Sequence, residues 1–142
     1  MTRVQDIMSR NPLTCRESDA VFKAVEIMKR QNIGVVPIVD QNQMAKGIIT
    51  DRDIVLDVIY DRKDPQSTLL RDIMTHRLVT CKADQDVDAV IQNMRNHKVK
   101  RVLVVDNQGH CIGIVSESDV AQKLGEVGKV AEMSKGIYGG AR

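Results

Sequence analysis

The octapeptides GIITDRDI (residues 47–54) and GIVSESDV (residues 113–120) share one pattern and lie 66 residues apart in the chain. Each contains a glycine, an apolar stretch, a hydroxyl residue and an aspartate three positions after that hydroxyl. An apolar run that ends in a hydroxyl residue is typical of a strand that leads directly into the first turn of a helix. The recurrence of the whole pattern indicates an internal repeat.

The repeat extends well beyond these octapeptides. Residues 6–58 align with residues 72–124 without a gap and with thirteen identities. Shared features include an Asp-Ile-Met tripeptide near the start, a Thr-Cys pair and an apolar run that ends in Val-Asp. We therefore expect two copies of one unit, at residues 1–62 and 67–124, with the polar segment DRKDPQST at their junction.

Each copy has the same predicted order of elements: strand, helix, strand, strand, helix. In the first copy, a short strand near residues 13–15 precedes an amphipathic helix at residues 19–31. Apolar runs at residues 35–40 and 45–50 are predicted strands, and a second helix begins near Asp51. The sequence thus predicts an α/β (α+β) fold. We expect two pseudo-twofold-related β-α-β-β-α repeats to pack through their sheets, because neither could cover its apolar face alone.

The composition is that of a soluble globular protein, with 42% hydrophobic and 28% charged residues. A net charge of +2 and an aromatic content of 2% do not favour a nucleic-acid partner. Because no apolar run could cross a bilayer and no signal peptide is recognisable, we expect a cytoplasmic protein without a membrane partner. Residues 125–142 have no counterpart in the repeat and are predicted to form a mobile tail.

The reactive residue types do not form a recognisable catalytic or metal-binding set. Cys15, Cys81 and Cys111 show no Cys-x-x-Cys spacing, which predicts buried free thiols and argues against a disulfide framework or a metal site. The sequence offers no Ser-His-Asp or Cys-His arrangement, no P-loop and no His-Glu-x-x-His motif. We therefore expect a protein that is not an enzyme and requires no cofactor.

The repeated hydroxyl-x-x-Asp motif, Thr50 to Asp53 and Ser116 to Asp119, has two interpretations. It matches a capping box, in which hydroxyl and carboxylate satisfy the free N–H groups of a helix start. The same groups suit a nucleotide, because a helix start attracts phosphate and a carboxylate accepts from the two hydroxyls of a ribose. From the motif alone both interpretations stay open.

The two copies differ in charge near this motif. Gly34 and Val35 of the first copy are replaced by Lys100 and Arg101 in the second, whereas Arg52 of the first becomes a serine. A cation in the first turn of a helix opposes the helix dipole, so Arg52 fits either an anionic ligand or a solvated side chain. The basic residues of the second copy are equally consistent with an exposed, solubilising sheet edge.

Taken together, the Asp-Ile-Met and Thr-Cys elements, the amphipathic helix, the h-P-h-V-D strand and the G-h-h-[ST]-x-x-D motif resemble the CBS domain, named after cystathionine β-synthase. Two such domains in tandem form a Bateman module, and the resemblance covers about residues 4–124. It implies a regulatory module that binds AMP, ADP, ATP, S-adenosylmethionine or NAD in clefts between the repeats. A protein-interaction scaffold or a nucleic-acid binder is the alternative.

The resemblance also implies roles for individual residues. It assigns ribose contacts to Asp53 and Asp119, with Thr50 and Ser116 beside them on phosphate or ribose. The strand starts would frame the adenine and the basic residues would reach phosphate, which adds the following positions: Thr14, Ile33, Gly34, Val35, Arg52, Thr80, Val99, Lys100 and Arg101.

Two kinds of macromolecular partner are implied as well. Members of the family resemble disc-like dimers, and we expect apolar positions of the second helix, Ile54, Val55 and Val58, to be left uncovered by a single pair of repeats. We therefore expect a homodimer. Its output would pass to an effector protein.

Overall fold

The structure, a computed structural model, describes residues 2–124. Each repeat contains the predicted order of strand, helix, strand, strand and helix, and short elements that were not predicted precede this order in both repeats. Its mixed helices and two sheets confirm the predicted α+β class. The predicted tail, residues 125–142, lies outside the described residues. The elements in chain order are α1 (Val4–Ile7), β1 (Ser9–Arg10), β2 (Cys15–Arg16), α2 (Val21–Gln31), β3 (Val35–Val39), β4 (Ala45–Thr50), α3 (Asp51–Ile54), a π-helix (Val55–Ile59), α4 (Leu70–Ile73), β5 (Thr80–Cys81), α5 (Val87–His97), β6 (Arg101–Val105), β7 (Cys111–Ser116) and α6 (Glu117–Leu124).

The chain forms two compact units. The first unit comprises residues 12–78 and 109–111 and contains a sheet in the order β2-β3-β4. Within it β2 runs parallel to β3, and β3 pairs antiparallel with β4. In residues 2–124, the second unit comprises the remaining segments, 2–11, 79–108 and 112–124, with a sheet in the order β1-β7-β6-β5.

The apolar faces of the two long helices form much of each core. In α5, Val87, Val90, Ile91 and Met94 are all buried, as the spacing of apolar residues predicts. In α2, Val21 and Ala24 are buried, and the remaining apolar residues of that face are half-buried. Each helix therefore presents its predicted stripe to the sheet of its own unit, while its polar face is solvated.

Two of the three cysteines are core residues with protonated thiols. Cys15 and Cys81 are buried free thiols, as predicted, whereas Cys111 is only partly buried, so the prediction that it is buried is wrong. Burial raises the pKa of the Cys15 thiol to about 11 and that of Cys81 to about 12, because a buried thiolate loses its hydration. Both therefore stay protonated and unreactive at neutral pH.

The short N-terminal segments of the two repeats are exchanged between the units. The segment with α1 and β1 begins the first repeat, yet it packs in the second unit, where Val4 and Ile7 join the core. The segment with α4 begins the second repeat, yet Leu70 and Ile73 are in the core of the first unit. The compact units therefore do not coincide with the repeats at residues 1–62 and 67–124.

A glycine in each repeat accommodates this exchanged segment. β1 pairs antiparallel with β7, and a Cβ atom on Gly113 would lie 3.0 Å from the Ser9 carbonyl oxygen. In the first unit, a bridge between Ile48 and Thr75 takes the equivalent place, and a Cβ atom on Gly47 would collide with the Thr75 carbonyl oxygen. The two glycines that open the repeated octapeptides are therefore required by close approach of another backbone.

The helical segment after β4 only partly matches the expected exposed face. Ile54 and Val58 are buried in the first core, so the prediction that they are uncovered is wrong; four residues apart, they share one face and turn it inward. Val55 is exposed, as predicted. Three further apolar residues are exposed beside it: Leu56, Ile59 and Tyr60.

None of the helices in the part of the chain that the structure describes is long and apolar enough to span a membrane.

The position of α4 in the first core generates a stability prediction. Leu70 is fully buried there, so Leu70→Ala should lower the free energy of unfolding by about 2–5 kcal/mol through lost burial and a cavity. Leu13, which is half exposed, is the matched control, and Leu13→Ala should cost about 0.5 kcal/mol or less. Urea denaturation of both variants measures the difference. Equal costs would contradict the packing of α4.

Candidate functional site

The hydroxyl-x-x-Asp motif of the first repeat lies where β4 passes into α3. The Asp53 N–H donates to Thr50 Oγ1 at 3.2 Å, and the Thr50 N–H donates to Asp53 Oδ2 at 3.0 Å. These two bonds form a capping box, because each side chain satisfies a backbone donor of the other residue. Thr50 has extended backbone geometry, which turns the strand sharply into the helix.

The second repeat builds the same turn between β7 and α6. The Asp119 N–H donates to Ser116 Oγ at 3.1 Å, and the Ser116 N–H donates to Asp119 Oδ2 at 2.9 Å. In addition, the hydroxyls of Ser116 and Ser118 lie 2.9 Å apart in a hydrogen bond. The first repeat has Arg52 at the position of Ser118, so the second turn carries a hydroxyl where the first turn carries a cation.

A backbone bond ties each turn to the start of the neighbouring strand. The Asp51 N–H donates to the Gly34 carbonyl oxygen at 3.0 Å, and the Glu117 N–H donates to the Lys100 carbonyl oxygen at 2.9 Å. Val35 is also the cross-strand partner of Thr50. The structure therefore brings predicted residues of each strand start directly beside the predicted hydroxyl and aspartate.

The helix ends before β3 and β6 set the positions of these strand starts. Asn32 and Lys98 both adopt the left-handed conformation, with a φ of 54°, at the ends of α2 and α5. Such a residue ends a helix and redirects the chain. Ile33 and Val99 follow at once, and their N–H groups donate back to carbonyl oxygens of the preceding helices. Ile33 remains exposed, whereas Val99 is half-buried.

The two predicted threonines lie farther from the turns than the strand starts do. Thr14 directly precedes β2, whose Cys15 pairs with Ile38, so Thr14 lies toward the start of β3. Thr80 lies in β5 and pairs with Leu103 of β6. Both threonines are half-buried. Within residues 2–124, neither threonine side chain forms a hydrogen bond with the hydroxyl-x-x-Asp turn of its repeat.

Charged residues at the two turns differ between repeats. Arg52 is exposed in the first turn of α3, and Lys100 and Arg101 are half-buried at the start of β6. Asp51 and Glu117, the first residues of the two helices, were not among the predicted site residues. The Asp51 carboxylate lies so close to Gly34 that a Cβ atom there would be 2.9 Å from its Oδ2. Both acids lie between the hydroxyl residue and the aspartate of the repeated motif, and this position in the sequence could have identified them.

These acids change the electrostatics of the two turns. The first turn carries two carboxylates, Asp51 and Asp53, and one guanidinium, that of Arg52. The second turn carries two carboxylates as well, but two cations stand at the adjoining strand start. The second repeat is therefore the more favourable of the two for an anionic group.

Both repeats therefore form the capping box. The box leaves acceptor positions of the carboxylate and the hydroxyl proton for other hydrogen bonds. A carboxylate offers about four acceptor positions, and each box engages only Oδ2. The hydroxyl that accepts in the box can also donate through its own proton. Asp53 and Asp119 can therefore cap a helix and accept from a ligand hydroxyl at once.

No group of three or more His, Cys, Asp or Glu side chains that could hold a metal ion is found among residues 2–124.

Comparison with known proteins identifies the repeat. The CBS domain profile matches residues 4–59 and 70–126. The Bacillus subtilis protein YlbB is 36% identical over 122 residues, which are 85% of this chain and 81% of the relative.

Solved structures agree in both fold and sequence. The CBS domain pair of protein MJ0100, solved with 5′-methylthioadenosine and S-adenosyl-L-methionine, is 32% identical with a TM-score of 0.79, and the match covers 88% of this chain and 97% of that one. The hexameric CBS-CP12 protein from bloom-forming cyanobacteria is 27% identical with a TM-score of 0.77, over 87% and 71% of the two chains. The chain therefore belongs to the CBS domain family and carries two CBS domains in tandem.

Proposed function

We propose that this protein is a regulatory sensor that binds adenosine-containing ligands and transmits their presence by a change of conformation or oligomeric state. The observation that carries the proposal is the complex of the MJ0100 domain pair with 5′-methylthioadenosine and S-adenosylmethionine, since that pair matches almost the whole described chain. Both of those ligands contain adenosine, so the group common to them is an adenine with a ribose diol.

The geometry of the turns supports a ribose contact in each repeat. Asp53 and Asp119 are held in fixed positions by two hydrogen bonds each, at the end of a strand and beside the start of its neighbour. A fixed carboxylate binds a diol more tightly than a mobile one, because less side-chain freedom is lost on binding. Thr50 and Ser116 add a hydroxyl at each turn.

The charges at the turns support different ligands for the two repeats. The first turn, with Asp51 and Asp53 against Arg52, favours an uncharged or cationic adenosine compound such as 5′-methylthioadenosine or S-adenosylmethionine. The second turn adjoins Lys100 and Arg101, and it favours an adenosine compound that carries phosphate, such as AMP, ADP or ATP. In this proposal the two repeats share the adenosine and differ in what they accept at its 5′ end.

We also propose that the protein forms a homodimer through the exposed apolar patch of the first repeat. The patch consists of Val55, Leu56, Ile59 and Tyr60, which are 43–80% exposed on one helical segment. Val55 and Leu56 align with Ala121 and Gln122 of the second repeat, so duplication alone does not account for the patch. A contiguous exposed apolar patch of this kind is typical of an interface, and the hexameric CBS-CP12 protein supports self-association. The regulated output would then pass to an effector protein.

The first experiment is a thermal-shift panel of AMP, ADP, ATP, NAD, S-adenosylmethionine and 5′-methylthioadenosine, with GMP as the matched control. A ligand at 100 times its dissociation constant should stabilise the fold by about 2.7 kcal/mol, because it binds only the folded state. At least one adenosine compound should raise the melting temperature, and GMP should not. If no adenosine compound at millimolar concentration shifts the melting temperature, the proposal is rejected.

The second experiment separates the ribose role of each aspartate from its capping role. Asp53→Asn and Asp119→Asn should weaken binding by about 1.5–3 kcal/mol, the scale of a charged hydrogen bond, because asparagine offers one acceptor and adds a donor. Asp53→Asn should act mainly on 5′-methylthioadenosine, and Asp119→Asn mainly on AMP. Titration calorimetry with each ligand measures both effects.

Asp86 provides the control for these two variants. It caps α5 by accepting from the Asp88 N–H at 3.0 Å, and it belongs to neither hydroxyl-x-x-Asp motif. Asp86→Asn should lower stability by at most about 1 kcal/mol and leave both affinities unchanged. If all three variants lose only stability, the two motifs are helix caps without a ligand role.

The third experiment tests the apolar patch. Light scattering at tens of micromolar should give about twice the 15.9 kDa chain mass for the wild type. Ile59→Lys should shift the mass toward the monomer, because it places a charge in the interface. Leu13→Lys, at an exposed apolar residue outside the patch, should leave the dimer intact. A monomeric wild type, or a dimer insensitive to Ile59→Lys, would refute this part of the proposal.

A further inference from the structure

A second polar cleft lies in the first unit, at the opposite edge of its sheet from the candidate nucleotide site. The cleft has a volume of about 310 Å³. Because β2 and β3 are parallel, their carboxyl ends meet at this edge, whereas Gly34 and the capping box are at the other end of β3. The residues that line it are Arg16, Glu17, Ser18, Val39, Asp40, Gln41 and Arg71.

Both arginines of the cleft are held by the backbone. The Arg71 N–H donates to the Glu17 carbonyl oxygen at 3.0 Å, which fixes α4 against the loop after β2. The Arg16 N–H donates to Asp19 Oδ2 at 2.7 Å, and the Asp19 N–H returns a bond to the Arg16 carbonyl oxygen. The backbone of each arginine is therefore anchored where the residue lines the cleft.

Neither guanidinium group is neutralised by a neighbour. Among residues 2–124, no ion pair or side-chain hydrogen bond involves the guanidinium group of Arg16 or Arg71. Asp40 lines the same cleft, but its Oδ1 accepts from the N–H groups of Asn42 and Met44 within its own turn. Those bonds, the Met44 bond above all, lower the pKa of Asp40 and keep it ionised, and Lys46 Nζ, 3.9 Å from Asp40 Oδ2, offsets part of its charge. Glu17 is the remaining acid of the lining.

The second unit has the same backbone frame without the two arginines. Gln5 stands at the position of Arg71, and its N–H donates to the Ala83 carbonyl oxygen at 2.8 Å, just as Arg71 bonds to Glu17. Lys82 stands at the position of Arg16, and its Nζ donates to the Asp106 carbonyl oxygen at 2.8 Å. The one cation at these two positions of the second unit is thus engaged by the protein itself. The arginine pair is specific to the first unit and is not required by the fold.

We propose that this cleft binds a small dianion, of the size of phosphate or a short dicarboxylate, between the guanidinium groups of Arg16 and Arg71. Arginine presents several N–H donors in a fixed plane that matches the oxygen atoms of phosphate and carboxylate. Two such groups supply the charge that a dianion requires. The Ser18 hydroxyl and the Gln41 amide are further donors on the lining.

The test uses the full chain, labelled with nitrogen-15, and follows amide chemical shifts during titration with inorganic phosphate at pH 8 and constant ionic strength. A parallel titration with malonate distinguishes phosphate from dicarboxylate recognition. We expect saturable shifts with at least one of the two anions, centred on Arg16, Ser18, Gln41 and Arg71. We expect the amides of residues 50–53 to be unaffected, because they lie at the other edge of the sheet.

Two variants and one control decide the result. Arg71→Gln installs the residue of the second unit, Gln5, and should weaken binding at least about tenfold, the effect of one lost charged hydrogen bond. Arg16→Gln should act similarly. Arg30→Gln removes the same charge from an exposed position on α2, where Arg30 pairs with Glu26, and should leave binding unchanged. The proposal is overturned if neither anion binds, if the shifts centre on residues 50–53, or if Arg30→Gln weakens binding as much as Arg71→Gln.

Discussion

The reciprocal hydrogen bonds between a hydroxyl and an aspartate three residues later are the interaction on which the rest of each repeat depends. They satisfy the first donors of the helix and turn the chain sharply at the end of the strand. The next N–H, that of Asp51 or Glu117, then bonds to the carbonyl oxygen before the neighbouring strand. Strand, turn and helix are consequently fixed relative to one another by backbone and short side chains alone, and the longer side chains around the turn are free to vary.

That freedom explains how two copies of one frame acquire different chemistry. The backbone bonds of the turns are the same in both repeats, to within a few tenths of an ångström. The charges are not: Arg52 belongs to the first turn only, and Lys100 and Arg101 belong to the second only. The same holds at the opposite sheet edge, where the Arg16 and Arg71 pair of the first unit has no equivalent in the second unit. Duplication supplied the scaffold, and substitution of the side chains around it supplied the difference between the sites.

The exchanged segments show a different constraint. In each unit, an incoming backbone passes close to a strand at a glycine: a Cβ atom would collide with the Thr75 carbonyl oxygen at Gly47 and would lie only 3.0 Å from the Ser9 carbonyl oxygen at Gly113. A bulkier residue would push the exchanged segment away and expose Leu70 in one unit or Val4 in the other, both of which are fully buried. Each unit therefore depends on a segment that the sequence places with the other repeat. Truncation between the repeats would remove core residues from both units.

The sequence by itself determined the duplication, the order of elements and most of the buried helix faces, because all of these are local patterns or direct comparisons of one copy with the other. It also indicated the capping boxes, since a box spans only four residues. The exchange of segments was decided only by the tertiary structure, because the Asp-Ile-Met sequences at residues 6–8 and 72–74 are identical and carry no preference for either unit. The same limit applied to Ile54 and Val58, because their spacing predicts an apolar helix face but does not tell whether that face packs in the core of its own unit. The Arg16 and Arg71 cleft likewise joins residues 55 positions apart in the chain, and only the packing of α4 brings them to one edge of the sheet.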